Sequence, residues 1–288
     1  MRILVTGAAG NLGGLLLQDL ARAGHDVLGA DIVGHDVLNL DICDYSATRR
    51  LLQENRPRLV IHAAAWTDVD ACAREPERAL QINGFGTQNV ALAATEVDAE
   101  VLYISTNEVF SGRDRQPLDE FAAPAPGNPY GYSKHAGELA LAAHCPGHTV
   151  VRTAWLFAHG GRNFIQAILG AARAGKPLRV VSNEVANPTY TNDLSAALVR
   201  LVDTGRRGTY HFVNEGACSR FQFARYVLDR SGYPDTPIES ISSHQWPRPG
   251  SPPEHAALTN GAGRLLGITL RPWRDAVDAF LAQEGWLS

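Results

Sequence analysis

The segment Thr6-Gly7-Ala8-Ala9-Gly10-Asn11-Leu12-Gly13 constrains the fold more than any other part of the chain. It follows the apolar run Ile3–Val5 and leads into leucines at helical spacing. In this position Gly7 permits a tight turn, Gly10 lets the backbone approach a pyrophosphate, and Gly13 allows close helix–sheet packing. Unpaired N–H groups at the helix amino terminus favour the anion. The sequence therefore predicts a dinucleotide-binding loop formed by Gly7, Gly10, Asn11, Leu12 and Gly13.

The first half of the chain repeats an alternation of short apolar runs and longer helical patterns. Further strands are predicted at Asp26–Asp31, Leu59–His62 and Val101–Ile104. Strands alternating with helices indicate a parallel sheet that is covered by helices on both faces. The sequence thus predicts an α/β fold, a Rossmann-type doubly wound parallel sheet, over residues 1–160. Residues 161–288 are expected to form mainly a small carboxy-terminal substrate-binding subdomain, with some segments returning to the core.

Other local patterns place helices and loops along the chain. Proline-rich composition predicts surface loops at 116–129 and 243–253, because proline fixes φ and lacks an N–H group. Apolar periodicity predicts helices at 76–95, from Tyr130 onward, and at 163–174, 192–203, 220–231 and 273–283.

Composition and charge exclude several classes of partner. The chain has 26 basic and 30 acidic residues, a net charge of −4, which gives no electrostatic reason to expect nucleic acid or an anionic membrane. Apolar runs such as Val60–Trp66 are shorter than the roughly 20 residues of a membrane span. Met1 leads straight into a strand, which leaves no room for a signal peptide. We therefore expect a cytoplasmic protein, and a homodimer is compatible with the sequence.

Metal and disulfide chemistry are not predicted. The four cysteines lie far apart and form no CxxC pair, so they are expected to be reduced, mostly structural thiols. The histidines are scattered, and no His, Cys or carboxylate cluster has the spacing of metal ligands.

Asp31 ends the second predicted strand, 18 residues after Gly13. A carboxylate at this place is typical of proteins that bind the adenosine ribose hydroxyls of a dinucleotide. No Arg or Lys lies between Ile32 and Asn39 to bind a 2′-phosphate. NAD(H) is therefore expected to be preferred, with NADP(H) possible, and Asp41 and Ile42 are expected to border the adenine.

Tyr130 and Lys134 form a Tyr-x-x-x-Lys pattern that a helix would bring onto one face. A phenol with a pKa near 10 is a poor acid–base group at neutral pH, and a nearby cation stabilises its phenolate. Tyr132 has Ala136 four residues later, so only Tyr130 has this partner. Thr106 follows the fourth strand at the sheet edge where such folds bind ligands, and its hydroxyl is a candidate to hold a carbonyl oxygen.

In combination, TGAAGNLG, YISTNEVF and YGYSKHAGE resemble the extended short-chain dehydrogenase/reductase family. Within that family the chain is most similar to the dTDP-4-dehydrorhamnose reductases. The segments that carry this closer resemblance are residues 63–83, 104–112, 130–138 and 151–164.

The resemblance implies a role for each matching residue. Tyr130 would donate a proton to a ketone oxygen, Lys134 would hold the nicotinamide ribose and lower the pKa of the phenol, and Thr106 would orient the substrate. The remaining matched residues are Ala63, Ala64 and Ala65, expected behind the cofactor, and Trp66, Thr67, Val69 and Trp155, expected to contact the sugar.

The chain differs from the family pattern at two places. Asn107-Glu108 stands where the family usually has Asp-Tyr; if the strand continued, Glu108 would share a face with Thr106 and contact the substrate. The stretch 251–258 lacks the Arg and the Ser with which the family handles a nucleotide diphosphate, and Arg248 is the nearest replacement.

The function favoured by these observations is NAD(P)-dependent reduction of a keto group on a nucleotide-activated or related sugar. An epimerase or dehydratase of the same superfamily is the first alternative. A dehydratase would normally place an Asp-Glu pair after the hydroxyl, whereas here Asn107 precedes Glu108. A non-catalytic, dinucleotide-binding regulatory subunit is the second alternative, although such a protein needs no proton donor at Tyr130.

Overall fold

The computed structural model describes residues 1–161 and 163–287. Its centre is a parallel sheet of seven strands in the order β11-β6-β5-β4-β1-β2-β3. These strands are β1 (Arg2–Thr6), β2 (Asp26–Asp31), β3 (Leu38–Asn39), β4 (Leu59–His62), β5 (Glu100–Thr106), β6 (His148–Thr153) and β11 (Gly208–His211). Three two-stranded pairs lie outside it: β7 (Leu156–Phe157) with β10 (Thr189–Tyr190), β8 (Leu178–Val181) with β13 (Ile238–Ile241), and β9 (Val185–Ala186) with β12 (Cys218–Ser219).

Helices connect the strands, as the sequence predicts. Those of the first half are α1 (Asn11–Arg22), α2 (Tyr45–Asn55), α3 (Val69–Arg74), α4 (Pro76–Ala79), α5 (Gly86–Thr95) and α6 (Pro129–His144). Those of the second half are α7 (Phe164–Arg173), α8 (Thr191–Thr204), α9 (Arg220–Arg230), α10 (Gly261–Leu265) and α11 (Trp273–Gln283).

Side chains of β1 alternate between the two helical layers because successive Cβ atoms of a strand point to opposite faces. Ile3 and Val5 are fully buried in the core that contains α1 and α8. Leu4 is fully buried in the core formed with α2, α5 and α6. The predicted doubly wound parallel fold is confirmed.

The strand order reverses beside β1, which defines where a ligand can enter. The chain runs from β1 outward to β2 and β3, then returns to place β4 on the other side of β1. The loops that leave β1 and β4 diverge at such a switch point and open a crevice at the carboxyl edge of the sheet. The glycine-rich segment and Ala63–Ala65 therefore lie on the two sides of one crevice.

The second half of the chain contributes to two cores. Aromatic side chains from several of its elements, including Phe157, Phe223 and Phe280, pack into a separate buried cluster. By contrast, α8 packs with α1, and β11 extends the central sheet beside β6. Part of this half thus forms its own core, while α8 and β11 belong to the Rossmann layer.

The predicted helix at 76–95 is interrupted by a π-helical turn, Leu80–Phe85. The wider turn places Asn83 in a buried position, where its amide bonds both the N–H and the C=O group of Trp66. Such turns are often found at functional sites. Here it fixes the loop that follows β4.

The 3₁₀ turn Asn107–Val109 directly after β5 corrects a second expectation. The strand ends at Thr106, so Glu108 does not share a face with Thr106 through strand alternation.

Two further findings concern the described residues. None of their helices combines the length and the apolar character that crossing a bilayer requires. All four cysteines are free thiols, and three of them are buried.

Candidate active site and cofactor cleft

The amino-terminal turn of α6 carries the two central residues of the site. Asn128 caps this helix, because its Oδ1 accepts the N–H of Gly131 at 2.8 Å, and Pro129 occupies the first helical position. Tyr130 and Lys134 are buried on one face of the helix. Both line a cavity of about 490 Å³ together with Thr106, so the structure brings the predicted catalytic set together.

The side chain of Lys134 is held by residues of the neighbouring strand β5. Its Nζ donates to the carbonyl of Ile104 at 2.8 Å and lies 4.1 Å from the centre of the Tyr103 ring. Burial lowers the pKa of Lys134 to about 7, although the nearby Glu138 carboxylate opposes the shift. The ammonium is therefore poised to lose its proton close to neutral pH.

Tyr130 keeps its phenolic proton close to neutral pH. Burial raises the pKa of the phenol above its ordinary value, and the negative charge of Glu108 adds to the shift. A hydrogen bond from the Thr106 hydroxyl opposes it. The phenol is thus a neutral proton donor at pH 7.

Glu108 lines the same cavity by way of the 3₁₀ turn rather than the strand. It is only 8% exposed, so it is not a solvated side chain at the edge of a loop. Its Oε2 accepts a hydrogen bond of 2.7 Å from Nδ2 of Asn128. The backbone of Glu108 also packs closely against the first turn of α6. This packing requires glycine at position 131, since a Cβ on Gly131 would lie 2.0 Å from the Glu108 carbonyl oxygen.

The structure contains a buried ion pair beneath α6 that the sequence did not predict. Glu138 receives two hydrogen bonds from Arg152, at 2.9 and 2.8 Å, and a third from Ser105 at 2.6 Å. Burial favours a higher pKa for Glu138, but these donors outweigh burial and hold its pKa at about 2. The signal was present: Glu138 follows Lys134 by four residues, on the same helical face.

Arg220 is a second residue that the sequence did not single out. It lines the catalytic cavity, its Nε donates to Glu184 at 2.8 Å, and its guanidinium lies 4.0 Å from the centre of the Trp155 ring. Trp155 itself has a positive φ of 42° and is half-buried against the cavity. Together they place a cation and an aromatic face on the subdomain side of the site.

A neighbouring cavity of about 560 Å³ contains the residues predicted for the adenosine half of a dinucleotide. It shares Gly7, Gly10, Ala63 and Ala65 with the catalytic cavity, so the two form a continuous cleft. Four of the predicted cofactor-binding residues line the adenosine cavity but not the catalytic cavity: Asp31, Asp41, Ile42 and Ala64.

The glycine-rich loop has the shape of a cradle for a dinucleotide. Gly7 has φ +72°, and a Cβ there would meet the Ala64 nitrogen at 2.6 Å. A Cβ on Gly13 would lie 2.0 Å from the Gly7 carbonyl oxygen. No side chain caps the amino terminus of α1, where Gly10, Asn11, Leu12 and Gly13 line the cleft. These residues fit the pyrophosphate of a bound dinucleotide.

Asp31 is fixed at the edge of the adenosine cavity. Its Oδ2 accepts the Ala9 N–H at 3.0 Å, and its Oδ1 accepts the Ile32 N–H at 2.7 Å. The same cavity is lined by Arg78, a cation outside the 32–39 segment. Its guanidinium stacks over Trp66 and forms an ion pair of 3.2 Å with Glu75.

The predicted sugar contacts fall on two sides of the cleft. Thr67, Val69 and Trp155 line the catalytic cavity, whereas Trp66 lines the adenosine cavity. Arg248, the proposed substitute for the missing arginine, is bound to Asp70 at 2.8 Å and does not line the catalytic cavity. Arg162, within the segment 151–164, lies outside the described residues.

The chain matches the family described as the RmlD substrate binding domain over residues 1–285. It belongs to this family. It is 38% identical to a dTDP-4-dehydrorhamnose reductase of Mycolicibacterium smegmatis, over 99% of this chain and 86% of the relative. It is 35% identical to the spore coat polysaccharide biosynthesis protein SpsK of Bacillus subtilis, over 98% and 97% of the two chains. The resemblance stated from the sequence is confirmed.

Solved structures agree with this assignment. A dTDP-4-dehydrorhamnose reductase of Bacillus anthracis in complex with NADP superposes with a TM-score of 0.90 at 33% identity, covering 98% of this chain and 99% of that one. A UDP-glucose 4-epimerase of Thermotoga maritima superposes with a TM-score of 0.84 at 21% identity, covering 99% and 100%, which shows the shared fold.

Proposed function

We propose that this RmlD-family chain reduces a keto group on a nucleotide-activated sugar, with NADH or NADPH as the hydride source. The observation that carries the proposal is the convergence of Tyr130, Lys134 and Thr106 in one cavity that opens into a dinucleotide-shaped cleft. The dTDP-4-dehydrorhamnose reductases among the relatives support the substrate class.

Each residue of the site has a distinct role in this reaction. The bound cofactor supplies a hydride to the ketone carbon. Tyr130 donates its phenolic proton to the developing alkoxide, and the Thr106 hydroxyl holds the same oxygen. Lys134 binds the nicotinamide ribose, and its positive charge stabilises the phenolate that remains.

The carboxy-terminal part, residues 161–288, is proposed to bind much of the substrate. Arg220 supplies a cation in the catalytic cavity that can meet a diphosphate where the 251–258 stretch has none. Trp155, Thr67 and Val69 supply apolar and hydroxyl contacts to the sugar, and Trp66 is assigned to the border with the cofactor. A cytoplasmic location, a homodimer and the absence of nucleic acid as a partner stay predictions.

Reduction is favoured over dehydration by the position of Asn107. Its amide donates to the Ala256 carbonyl at 3.0 Å and is 3% exposed. A carboxamide is too weak an acid to transfer a proton to a leaving hydroxyl, as the aspartic acid of a dehydratase would. A purely regulatory role leaves the buried phenol of Tyr130 in the catalytic cavity without a purpose.

A panel of keto sugar nucleotides tests the function. The protein is incubated with NADH or NADPH and either dTDP-4-dehydrorhamnose or dTDP-4-keto-6-deoxy-D-glucose, and loss of absorbance at the nicotinamide band is followed with product analysis. Cofactor oxidation coupled to formation of the alcohol is expected. Tight cofactor binding without turnover of any keto sugar would instead favour the regulatory role.

The preference for NADH over NADPH is proposed from Asp31. At about 4 Å, a carboxylate and a phosphate charge repel by about 1–4 kcal/mol, which corresponds to about fivefold or more in selectivity. Asp31→Asn is expected to shift the ratio of kcat/KM values toward NADPH by at least about fivefold. The matched control Asp36→Asn, an exposed carboxylate of the following loop, is expected to leave the ratio unchanged. A wild-type preference for NADPH that Arg78→Ala removes would contradict the assignment to Asp31.

A further inference from the structure

Glu108 is the carboxylate of the catalytic cavity, and the reduction described above gives it no chemical step. It lies in the turn directly after Thr106, it is more than nine-tenths buried, and it lines the cavity with Tyr130 and Lys134. A buried carboxyl group in a cavity built for a ketone requires an explanation, because burying a charge is unfavourable unless it has a partner or a function.

The contacts of Glu108 leave one of its oxygens available. Oε2 accepts a hydrogen bond from Nδ2 of Asn128, whose Oδ1 caps α6, so the carboxyl group is anchored to the helix that carries Tyr130. Within residues 1–161 and 163–287, Oε1 accepts no protein hydrogen bond, and neither oxygen forms an ion pair.

The two arginines whose charges lower the pKa of Glu108 are bound to other acids. Arg220 and Arg248 exert favourable charge effects on Glu108, yet Arg220 is paired with Glu184 and Arg248 with Asp70. The charge of Glu184 acts in the opposite direction. Burial raises the pKa of Glu108 above its ordinary value, against the hydrogen bond from Asn128, and this makes the carboxylate a stronger base.

The same cavity also holds what an enolate needs. A proton on the carbon next to a ketone becomes acidic when the ketone oxygen is stabilised as it gains negative charge. Tyr130 and Thr106, which meet that oxygen during reduction, would meet it equally during enolisation. The cavity therefore combines a base with an oxyanion site.

We propose that Glu108 removes and returns a proton on the carbon adjacent to the ketone of the bound sugar, so that the protein exchanges this hydrogen with solvent. This inference rests on the proposed keto sugar substrate. The C–H electron pair forms the C=C bond of an enolate, the carbonyl π pair moves to oxygen, and the hydroxyl of Tyr130 stabilises that negatively charged oxygen by a hydrogen bond. The proton resides on the Glu108 carboxyl group, exchanges with water and returns to carbon. No electron is gained or lost overall, and the step needs no hydride.

The test separates this exchange from reduction. The protein with NAD⁺ is mixed with dTDP-4-dehydrorhamnose in D₂O, and deuterium incorporation is followed by mass spectrometry, with its position assigned by proton NMR. Reduction is measured separately with NADH and NADPH. Wild-type protein is expected to incorporate deuterium next to the keto carbon well above the protein-free rate.

Variants locate the base. General-base catalysis typically contributes about 10²–10⁴-fold, so Glu108→Gln is expected to lower exchange by at least about a hundredfold and to lower reduction by a much smaller factor. Glu108→Asp keeps a carboxylate and is expected to retain part of the exchange. Glu77→Gln is the control, because it removes the charge of an exposed glutamate that does not line the cavity. Circular dichroism and cofactor binding verify that each variant is folded.

Each outcome decides the matter. Wild-type exchange no faster than the protein-free rate would overturn the proposal, and this arm needs no variant. Exchange that persists unchanged in Glu108→Gln would also overturn it. Exchange without reduction by either cofactor would support the role of Glu108 and reject the proposed reductase, whereas reduction without exchange would do the reverse.

Discussion

At the residue scale, Tyr130 and Tyr132 lie two positions apart on α6 and meet opposite surroundings. Tyr130 is 8% exposed and faces the catalytic cavity, whereas Tyr132 is 59% exposed. The Tyr-x-x-x-Lys spacing had selected Tyr130, and the helix geometry explains why: only that register places a phenol and an ammonium on one inward face.

Replacement of Tyr130 by phenylalanine is expected to lower kcat for keto sugar reduction by about 10²–10⁴-fold, because only the transferable proton is removed. Cofactor affinity should be retained within a few-fold. Tyr132→Phe is the matched control on the same helix and should keep wild-type turnover. Steady-state kinetics measure the change in kcat, and cofactor titration measures the change in affinity. Near wild-type turnover by Tyr130→Phe would contradict the role of Tyr130 as the proton donor.

Lys134 predicts the pH dependence of reduction. Its pKa is lowered to about 7, so in the free protein the ammonium is present below that pH and is lost as the pH rises through it. The value of kcat/KM is therefore expected to fall above about pH 7, since the neutral amine no longer stabilises the phenolate. Lys134→Arg, with a permanent charge, should be slower but should lose this falling limb. A wild-type profile that is flat to pH 9 would contradict the prediction.

At the element scale, the Glu138–Arg152 pair joins α6 to β6 directly beneath the catalytic residues. Because both side chains are only 7% exposed, removal of one partner leaves a charge in a medium that solvates it poorly. Ser105, at the end of β5, bonds the same carboxylate, so three elements meet at this group. Their relative positions set the distance between Thr106 and Tyr130.

Arg152→Met is expected to lower the free energy of unfolding by about 3–5 kcal/mol at pH 7. The control Arg49→Met breaks the exposed pair with Glu96 and should cost about 0–1 kcal/mol. The pKa of Glu138 lies at about 2, below its ordinary value, so the stabilising contribution of the carboxylate is complete above the ordinary carboxyl range and is lost as pH falls toward 2. Urea unfolding at several pH values measures both effects, and equal costs for the two variants would count against the buried pair.

At the scale of the whole molecule, the two cavities meet at the glycine-rich loop, so a dinucleotide that filled both would contact β1, β4, β5 and α6 together. A ligand that binds only the folded state stabilises it by about 2.7 kcal/mol at a hundredfold excess over Kd. Saturating cofactor is therefore expected to raise the Tm by several degrees.

Two glycine variants test whether this stabilisation depends on the loop. Gly13→Ala places a Cβ 2.0 Å from the Gly7 carbonyl and should remove most of the cofactor-dependent rise in Tm. Gly170→Ala, also inside a helix, meets no atom within 4 Å and should keep that rise in full. Differential scanning fluorimetry with and without cofactor measures the rise in Tm for each variant. An equal rise in both variants would show that the glycine-rich loop does not bind the cofactor.

The sequence by itself determined the fold class, and it selected the candidate cofactor loop and the candidate catalytic residues. These features depend on local relations: glycines after a strand, apolar runs of period 2 or 3.6, and a tyrosine four residues before a lysine. Such relations join residues that are close together in the sequence, so a single sequence is enough to recognise them. The family relationship followed from the same motifs and is confirmed.

The tertiary structure alone decided the surroundings of those residues. Glu108 was expected to reach the pocket along a strand, but the 3₁₀ turn and the cap by Asn128 bring it there instead. Trp66 lines the adenosine side of the cleft, and Arg220 enters the catalytic cavity from residues far along the chain. Burial, ion pairs and pKa shifts depend on which distant segments pack together, and that information is not carried by the spacing of neighbouring residues.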